Sequence, residues 1–216
     1  MSSYPASVPS PSRARVLADL VPGASTATVV REVALVAGGA VLTGIAAQIA
    51  IPLPGTPVPL TLQTFAVLVV GAALGWRRGL LALALYAVVG LVGVPWFAEG
   101  KSGWAFASMG YVLGFVFAAA LVGWLAERGA DRRPLTTAMI MVLGSVVIYV
   151  CGVSVLMPAL DVDLLTALEL GVVPFLVTDA IKVVLAAGVL PSAWRLAGES
   201  DRERRSRRLR SSADEL

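Results

Sequence analysis

The chain has 216 residues, of which 57% are hydrophobic and 14% charged, and its formal net charge is +3. Soluble domains carry about 25% charged residues, so this composition excludes an ordinary water-soluble globular protein. The chain has no histidine and one cysteine, Cys151. An intramolecular disulfide and a metal site built from cysteine and histidine are therefore excluded, and we predict neither a metal nor a cofactor.

The N-terminal segment, residues 1–30, is rich in serine, proline and alanine. It lacks the pattern of a charged stretch followed by an apolar stretch that marks a signal peptide. We expect a flexible cytoplasmic tail, which could include a short amphipathic piece near residues 13–21.

Six apolar segments follow, each close to the length that a helix needs to cross about 30 Å of hydrocarbon. These segments predict an all-α integral membrane protein with six transmembrane helices, forming one membrane domain over residues 31–195. The segments cover residues 33–51, 60–75, 79–95, 109–126, 135–157 and 172–194.

The arginines are distributed unevenly between the connections. Each of them lies either before the first segment or after the second, fourth or sixth segment. None lies in the other three connections. Positive residues accumulate on the cytoplasmic side of membrane proteins, which predicts that both termini are cytoplasmic. The basic tail, residues 196–216, follows a membrane helix, so we interpret it as contacting lipid or fixing topology and not as binding nucleic acid.

The first connection, in "IPLPGTPVPLTLQT" (51–64), contains Pro52, Pro54, Pro57 and Pro59. Proline fixes φ and removes a backbone donor, which predicts a stiff, extended loop and not a helix. The loop is also apolar, and apolar non-helical backbone at a membrane survives where it packs on protein or lines a cavity. Two interpretations stay open: a rigid hairpin between helices, or a lid over a binding site.

Polar and aromatic residues flank this side of the predicted bundle. Gln63, with Thr61 and Thr64, begins the second segment, while Trp104 and Tyr111 belong to a group of aromatics interleaved with glycines. Such aromatics form an interfacial belt in many membrane proteins. They would equally suit a pocket wall that closes on a ligand.

The sixth segment contains Asp179 and Lys182 within an apolar run. Spaced i and i+3, the two side chains share one helix face and can meet. A charge in hydrocarbon costs at least about 2.5 kcal/mol, so intramembrane charges indicate function. Without a histidine to act as a general base, and with only Thr178 as a hydroxyl on this face, we predict a binding pocket and not an enzyme.

The first segment carries Ala40 and Gly44, spaced four residues apart. Small residues at this spacing let membrane helices approach closely. They indicate either packing within the bundle or a docking face for another membrane protein.

Three motifs together resemble the BioY family, the biotin-binding S components of energy-coupling-factor (ECF) transporters. They are "IPLPGTPVPLTLQTFAVLVVGAALGWRRG" (51–79), "YAVVGLVGVPWFAEGKSGWAFASMGYVLGF" (86–115) and "GVVPFLVTDAIKVVLAA" (171–187). The resemblance spans residues 33–194. It implies a six-helix S-component fold in a bacterial-type cytoplasmic membrane, with high-affinity biotin binding from the outside.

The resemblance also implies roles for particular residues and partners. Asp179 and Lys182 would bind ligand, residues 52–60 would act as a gate, and small residues of helix one, here Ala40 and Gly44, would contact the T component. Gln63, Trp104 and Tyr111 are further candidates for the pocket wall. The resemblance implies a T component and two ATP-binding-cassette ATPases as partners, and this chain itself has no G-x-x-x-x-G-K-[ST] motif of an ATPase; some family members work without that module, which leaves its need here open. The alternatives are an S component for another small vitamin and a solitary ion-coupled biotin carrier.

Overall fold

A computed structural model of the protein describes residues 15–20, 27–104 and 106–214. Most of the predicted N-terminal tail lies outside these residues. The secondary structure is helical apart from one short hairpin, and the elements are α1 (Ala27–Gln48), β1 (Ala50–Ile51), β2 (Leu60–Thr61), α2 (Gln63–Leu74), α3 (Trp76–Leu91), α4 (Met109–Ala126), α5 (Pro134–Leu160), α6 (Leu164–Gly171) and α7 (Leu176–Asp214). Short 3-10 helices lie at Leu17–Leu20, Ala98–Gly100 and Val173–Phe175.

Four stretches of the described chain are long and apolar enough to cross a membrane. They are Val29–Gln48, Met109–Ala126, Pro134–Leu160 and Leu164–Ala197, while Gln63–Leu74 is a shorter apolar helix. The protein is therefore a multi-pass membrane protein.

The sixth predicted segment differs in detail from the structure. Part of the predicted connection before it is helical, as α6, and Asp163 caps this helix by accepting a hydrogen bond from the Thr166 backbone N–H at 3.0 Å. A 3-10 turn that contains Pro174 then separates α6 from α7. Proline lacks the N–H that a continuous helix would need at this point, so the long helix begins at Leu176 and not at residue 172 as predicted.

Helix α4 lies at the centre of the bundle and packs against α2, α3 and α5. Glycines make these approaches possible. A Cβ on Gly71 of α2 would lie 2.6 Å from the carbonyl oxygen of Ala119, and one on Gly114 of α4 would lie 3.0 Å from the Ile148 Cα. The first distance is shorter than real Cβ contacts and the second is tighter than most of them, so larger residues at either position would press the helices apart.

One end of the bundle carries Arg77, Arg78, Arg128, Arg132 and Arg133, and we call it the arginine end. Here Arg78 bonds to two acids: its Nη1 lies 2.9 Å from Asp19 Oδ1, and its Nε lies 2.5 Å from Glu32 Oε2. These bonds join the 3-10 helix Leu17–Leu20, α1 and α3.

The acid Asp19 belongs to the segment that was predicted to be part of a flexible tail. Its neighbours Val16 and Ala18 are buried against the bundle. Burial alone would raise the pKa of Asp19, but hydrogen bonds from Arg78 and from backbone N–H groups outweigh it, so the pKa lies below its ordinary value. The charged carboxylate is thus part of the packing of this segment.

A second buried acid at the arginine end lies between α4 and α5. Asp131 is fully buried, and its Oδ2 accepts a hydrogen bond from Trp194 Nε1 of α7 at 2.6 Å. Its Oδ1 has no hydrogen-bond partner among the described residues. Burial raises the pKa of Asp131, although the Trp194 bond and the charge of Arg132 oppose this. Asp131 therefore ties α7 to the loop before α5.

Candidate functional site

A cavity of about 50 Å³ lies at the end of the bundle opposite the arginine end. Its walls are mostly apolar and aromatic, with a few polar groups on one side, which is the usual character of a small-molecule site. The lining residues are Val58, Pro59, Thr61, Gln63, Thr64, Phe97, Ala98, Phe106, Ser108, Tyr111, Val112, Phe115, Tyr149, Phe175, Asp179 and Lys182.

The polar side of the cavity is centred on the charged pair of α7. Lys182 Nζ lies 2.7 Å from Asp179 Oδ1, and the two side chains are only 13% and 10% exposed. Helix geometry brings them together, since residues three apart lie on one face. The spacing prediction is confirmed in this respect: the two charges meet and border a cavity.

The ammonium of Lys182 has no unused hydrogen atom. Besides its bond to Asp179, it donates to the Thr61 carbonyl oxygen and to Thr64 Oγ1, each at 2.8 Å. A lysine ammonium has three donors, so all three are satisfied inside the protein. A ligand would meet Lys182 only by replacing one of these partners.

The carboxylate of Asp179 is less completely satisfied. Tyr149 donates to its Oδ2 at 2.6 Å, and Thr64 donates to its Oδ1 at 3.3 Å. With the Lys182 bond this makes three, whereas a carboxylate offers about four lone-pair positions. Asp179 therefore retains the capacity to accept one hydrogen bond from a ligand in the cavity.

Gln63 supplies a second acceptor. Its Nε2 donates to the Tyr86 hydroxyl at 2.7 Å, and that hydroxyl donates to the Trp96 carbonyl oxygen at 3.4 Å. Because the hydroxyl proton is directed to Trp96, the Tyr86 oxygen must accept from the amide nitrogen of Gln63. This arrangement leaves the carbonyl Oε1 of Gln63 as an acceptor for a ligand, together with the second hydrogen of Nε2 as a donor.

The proline loop (residues 52–60) lies over the cavity. It connects the antiparallel strands β1 and β2, in which Ala50 pairs with Thr61. Val58 and Pro59 are buried and line the cavity, while Pro52, Pro54 and Pro57 are exposed. The two interpretations of the proline loop therefore do not exclude each other. The loop connects two strands as a hairpin, and it also covers a cavity.

Two hydrogen bonds attach the proline loop and the opposite wall of the cavity to the end of α6. Thr56 Oγ1 donates to the Leu170 carbonyl oxygen at 2.7 Å, and the Tyr111 hydroxyl donates to the Gly171 carbonyl oxygen at 2.8 Å. Leu170 and Gly171 end α6, where the carbonyl groups of a helix lack partners within the helix. The end of α6 thus connects the cover of the cavity to its wall.

The structure brings together four of the five side chains predicted to bind ligand, namely Gln63, Tyr111, Asp179 and Lys182. It does not bring Trp104 to the cavity. That side chain is 65% exposed and lines a separate apolar groove beside Met109 and Val155. The chain reverses at Gly103, which has a positive φ of 75°, so Phe97 and Phe106 line the cavity while Trp104 points outward.

The structure also places Ala40 and Gly44 inside the bundle. Ala40 is 1% exposed, and a Cβ on Gly44 would lie 3.0 Å from the Trp96 ring. Of the two interpretations for these residues, packing within the bundle accounts for their position. The exposed face of α1 instead carries Gly38, Val41 and Ile45.

Tyr149 and Thr56 were not recognised from the sequence. Tyr149 lies on α5, 30 positions before the Asp179 that it contacts, and Thr56 lies 114 positions before Leu170. For Tyr149 the available signal was a hydroxyl-bearing aromatic within an otherwise apolar segment. Thr56 offered no signal beyond being a polar residue of the proline loop.

Comparison with known proteins identifies a family and similar chains. The BioY family model matches residues 16–199 of the chain. A probable biotin transporter BioY of Pyrococcus horikoshii is 37% identical over 171 residues, which cover 79% of this chain and 98% of that protein. The biotin transporter BioY of Thermotoga maritima is 38% identical over 146 residues, covering 66% of this chain and 83% of that protein.

A solved structure shares the fold. The S-component for biotin from an ECF-type ABC transporter superposes with a TM-score of 0.71 at 23% identity, covering 81% of this chain and 94% of that chain. Since the family model extends over most of the chain and the Pyrococcus horikoshii relative is matched over 98% of its length, this chain belongs to the BioY family.

Proposed function

We propose that this protein captures biotin and serves as the substrate-binding S component of an ECF-type transporter. The observation that carries the proposal is the cavity bordered by Asp179 and Lys182, two buried charges held on one helix face. The family and the names of its relatives, several of which are biotin transporters, support the same function. The role is capture and transport, not catalysis.

The polar groups of the cavity match the ureido ring of biotin. This ring carries two N–H donors and one carbonyl, and the cavity offers two acceptors, Asp179 and Gln63 Oε1. Lys182 pairs with Asp179 and holds its carboxylate in position. Because all three ammonium hydrogens are bonded within the protein, Lys182 would donate to the ligand only after releasing one of these partners. The aromatic wall, including Phe97, Phe115 and Phe175, would cover the apolar body of the bicyclic ring.

Entry of biotin requires the proline loop to move. A cavity of about 50 Å³ holds roughly four water molecules at about 10–15 Å³ each, which is less room than a bicyclic ring with its side chain needs. The loop is attached to the bundle through Thr56, and Val58 and Pro59 occupy the cavity wall. Residues 52–60 therefore act as a gate, and the Thr56 bond to Leu170 is its latch.

The uneven distribution of the arginines supports an arrangement with six membrane-spanning units, of which α6 and α7 form the last, and with both termini and the arginine end in the cytoplasm of a bacterial-type cell. The cavity then faces outward. A T component would meet the exposed face of α1, which carries Gly38, Val41 and Ile45, because Ala40 and Gly44 are covered by the bundle itself. Two ATPases would supply the energy.

A titration of the purified protein in detergent with biotin tests this proposal. We expect saturable binding of one biotin per chain, competed by desthiobiotin, which keeps the ureido ring, and not by thiamine or riboflavin. Binding of another vitamin in place of biotin would contradict the assignment of the ligand. Uptake of labelled biotin by cells that contain this chain, with and without an ATPase module, separates an S component from a solitary carrier.

A further inference from the structure

The arginine end carries a second cleft, separate from the biotin cavity. Its volume is about 340 Å³, and it is lined by Trp76 at the start of α3 and by Ala120, Leu121 and Trp124 of α4. The two helices touch here, since a Cβ on Gly123 would lie 2.6 Å from the backbone nitrogen of Trp76. This close approach brings two indole rings to one apolar cleft.

An arginine lies over each of these rings. The guanidinium carbon of Arg128 is 3.4 Å from the centre of the Trp124 ring, and that of Arg77 is 5.1 Å from the centre of the Trp76 ring. A guanidinium stacked on an aromatic ring keeps N–H groups in its own plane available to an anion. Arg128 uses one of them, Nη1, to donate to the Trp124 carbonyl oxygen at 2.9 Å.

Among the described residues, these two arginines are not held in ion pairs, although Arg77 lines a polar cleft that also contains Asp19, Glu32 and Glu127. Within the described ranges, no carboxylate lies at ion-pair distance from Arg77 or Arg128, whereas the neighbouring Arg78 bonds to Asp19 and Glu32. The Glu127 carboxylate lies on the Arg77 side of this end, where its Oε1 accepts a hydrogen bond from the Trp76 backbone N–H at 3.1 Å. An apolar cleft with two guanidinium groups outside ion pairs at its edge is complementary to a ligand with an apolar chain and an anionic head.

We propose that this cleft binds one anionic phospholipid, with an acyl chain between Trp76 and Trp124 and the phosphate between Arg77 and Arg128. The protein is embedded in membrane, so lipid reaches the cleft at high local concentration. Arginine binds phosphate oxygens through paired N–H groups. A zwitterionic lipid has the same chains, but its own cation competes for the phosphate. Charge therefore favours the anionic headgroup.

Titration of the purified protein in neutral detergent with phosphatidylglycerol or phosphatidylcholine of identical chains tests this site. The readouts are native mass spectrometry and thermal unfolding. We expect phosphatidylglycerol to be retained and to raise the unfolding temperature more than phosphatidylcholine does. The double variant Arg77→Gln/Arg128→Gln should bind it about twentyfold more weakly, since each arginine near an anionic lipid contributes on the order of fivefold.

The matched control is Arg195→Gln, which removes one positive charge from an exposed position of α7 outside the cleft. It should keep the preference for phosphatidylglycerol. Equal retention of the two lipids by the unchanged protein, or an undiminished preference in the double variant, would overturn the proposal. So would an equal effect of inorganic phosphate alone, which would show an anion site without a lipid chain. If the double variant fails to fold, the two-lipid comparison on the unchanged protein decides.

Discussion

Two charged clusters occupy opposite ends of this bundle, and they differ in what their groups leave unused. At the arginine end, Arg78 joins Asp19 and Glu32, and its bonds tie three parts of the chain together. At the other end, Asp179 and Lys182 are more deeply buried, border a cavity, and leave one acceptor position on Asp179 without a protein partner.

The difference teaches how a buried ion pair in a membrane protein can be assigned a role. Burial of a charge is costly at either end. Around Arg78 the guanidinium is bonded to acids from two other parts of the chain, and the cleft beside it is predominantly polar, so stability accounts for the cluster. Around Asp179 the pair borders a cavity with aromatic walls, and one acceptor position of the carboxylate has no protein partner, so ligand binding accounts for it.

Removing either member of the cavity pair should have the largest effect. We expect Asp179→Ala and Lys182→Ala each to weaken biotin binding by about thirtyfold or more, because truncating one partner leaves the other charge buried and unpaired. Isothermal titration in detergent measures this. Arg78→Gln is the control from the other cluster: it should lower the unfolding temperature and leave biotin affinity unchanged. Unchanged biotin affinity in both cavity variants would show that Asp179 and Lys182 do not form the binding site.

Tyr149→Phe sharpens the comparison, since it removes only a hydroxyl. The Tyr149 hydroxyl donates to Asp179 Oδ2 at 2.6 Å. Without this hydrogen bond the position of the Asp179 carboxylate is less well fixed. A hydrogen bond to a charged group contributes about 1.5–3 kcal/mol, part of which affects the free protein as well. We expect biotin affinity to fall about threefold to tenfold. An affinity equal to that of the unchanged protein would place Tyr149 in packing alone.

Thr56→Val tests the latch on the proline loop. The change keeps the shape of the side chain and removes its bonds to the Leu170 carbonyl oxygen and to the Val58 backbone N–H. A neutral hydrogen bond contributes about 0.5–1.5 kcal/mol, so biotin release should be about threefold to tenfold faster in stopped-flow displacement. Thr136→Val, at the start of α5 and far from the cavity, should release biotin at the ordinary rate. Unaltered release from the Thr56 variant argues against a latch.

Asp131→Asn should give the smallest effect, and it concerns the arginine end. Burial raises the pKa of Asp131 above its ordinary value of 3.8. As pH rises above 3.8, the unfolded chain loses this proton before the folded chain does, so the carboxyl lowers stability through the pH range up to its folded pKa. Asparagine does not titrate, so the Asp131→Asn variant does not lose stability in this way as pH rises.

The measurement for Asp131 is thermal unfolding at a series of pH values. The unfolding temperature of the variant, relative to the unchanged protein, should increase as pH rises from about 4 and should then level off. A difference that does not change with pH would mean that Asp131 carries its charge at no cost in the folded protein.

The sequence predicted more about charge than about packing. The i and i+3 spacing of Asp179 and Lys182 is a local property of one helix, and helix geometry alone brings the two side chains together. Gln63 and Tyr111 were also recognised, because both lie where apolar segments meet polar and aromatic connections. The cover formed by residues 52–60 was one of two alternatives, since prolines define a stiff loop but not the surface on which it rests.

Positions on apolar helices were harder to predict. Ala40 and Gly44 fit a docking face by spacing, yet both lie inside the bundle, and Trp104 fits a pocket wall but lies outside it. In a soluble protein the polar face of a helix identifies the side that meets solvent. Lipid and protein interior are both apolar, so a membrane helix carries little such signal.

The amino-acid sequence was therefore sufficient to predict apolar helices, the uneven placement of the arginines and one charged pair whose burial is costly. These follow from composition and from spacing within single segments. Tertiary structure alone decided that Tyr149 and Thr64 complete the bonding of Asp179, that Thr56 reaches the end of α6, and that α1 turns Ala40 inward. Such contacts join residues far apart in the chain, and only the packing of one helix against another brings them within hydrogen-bond distance.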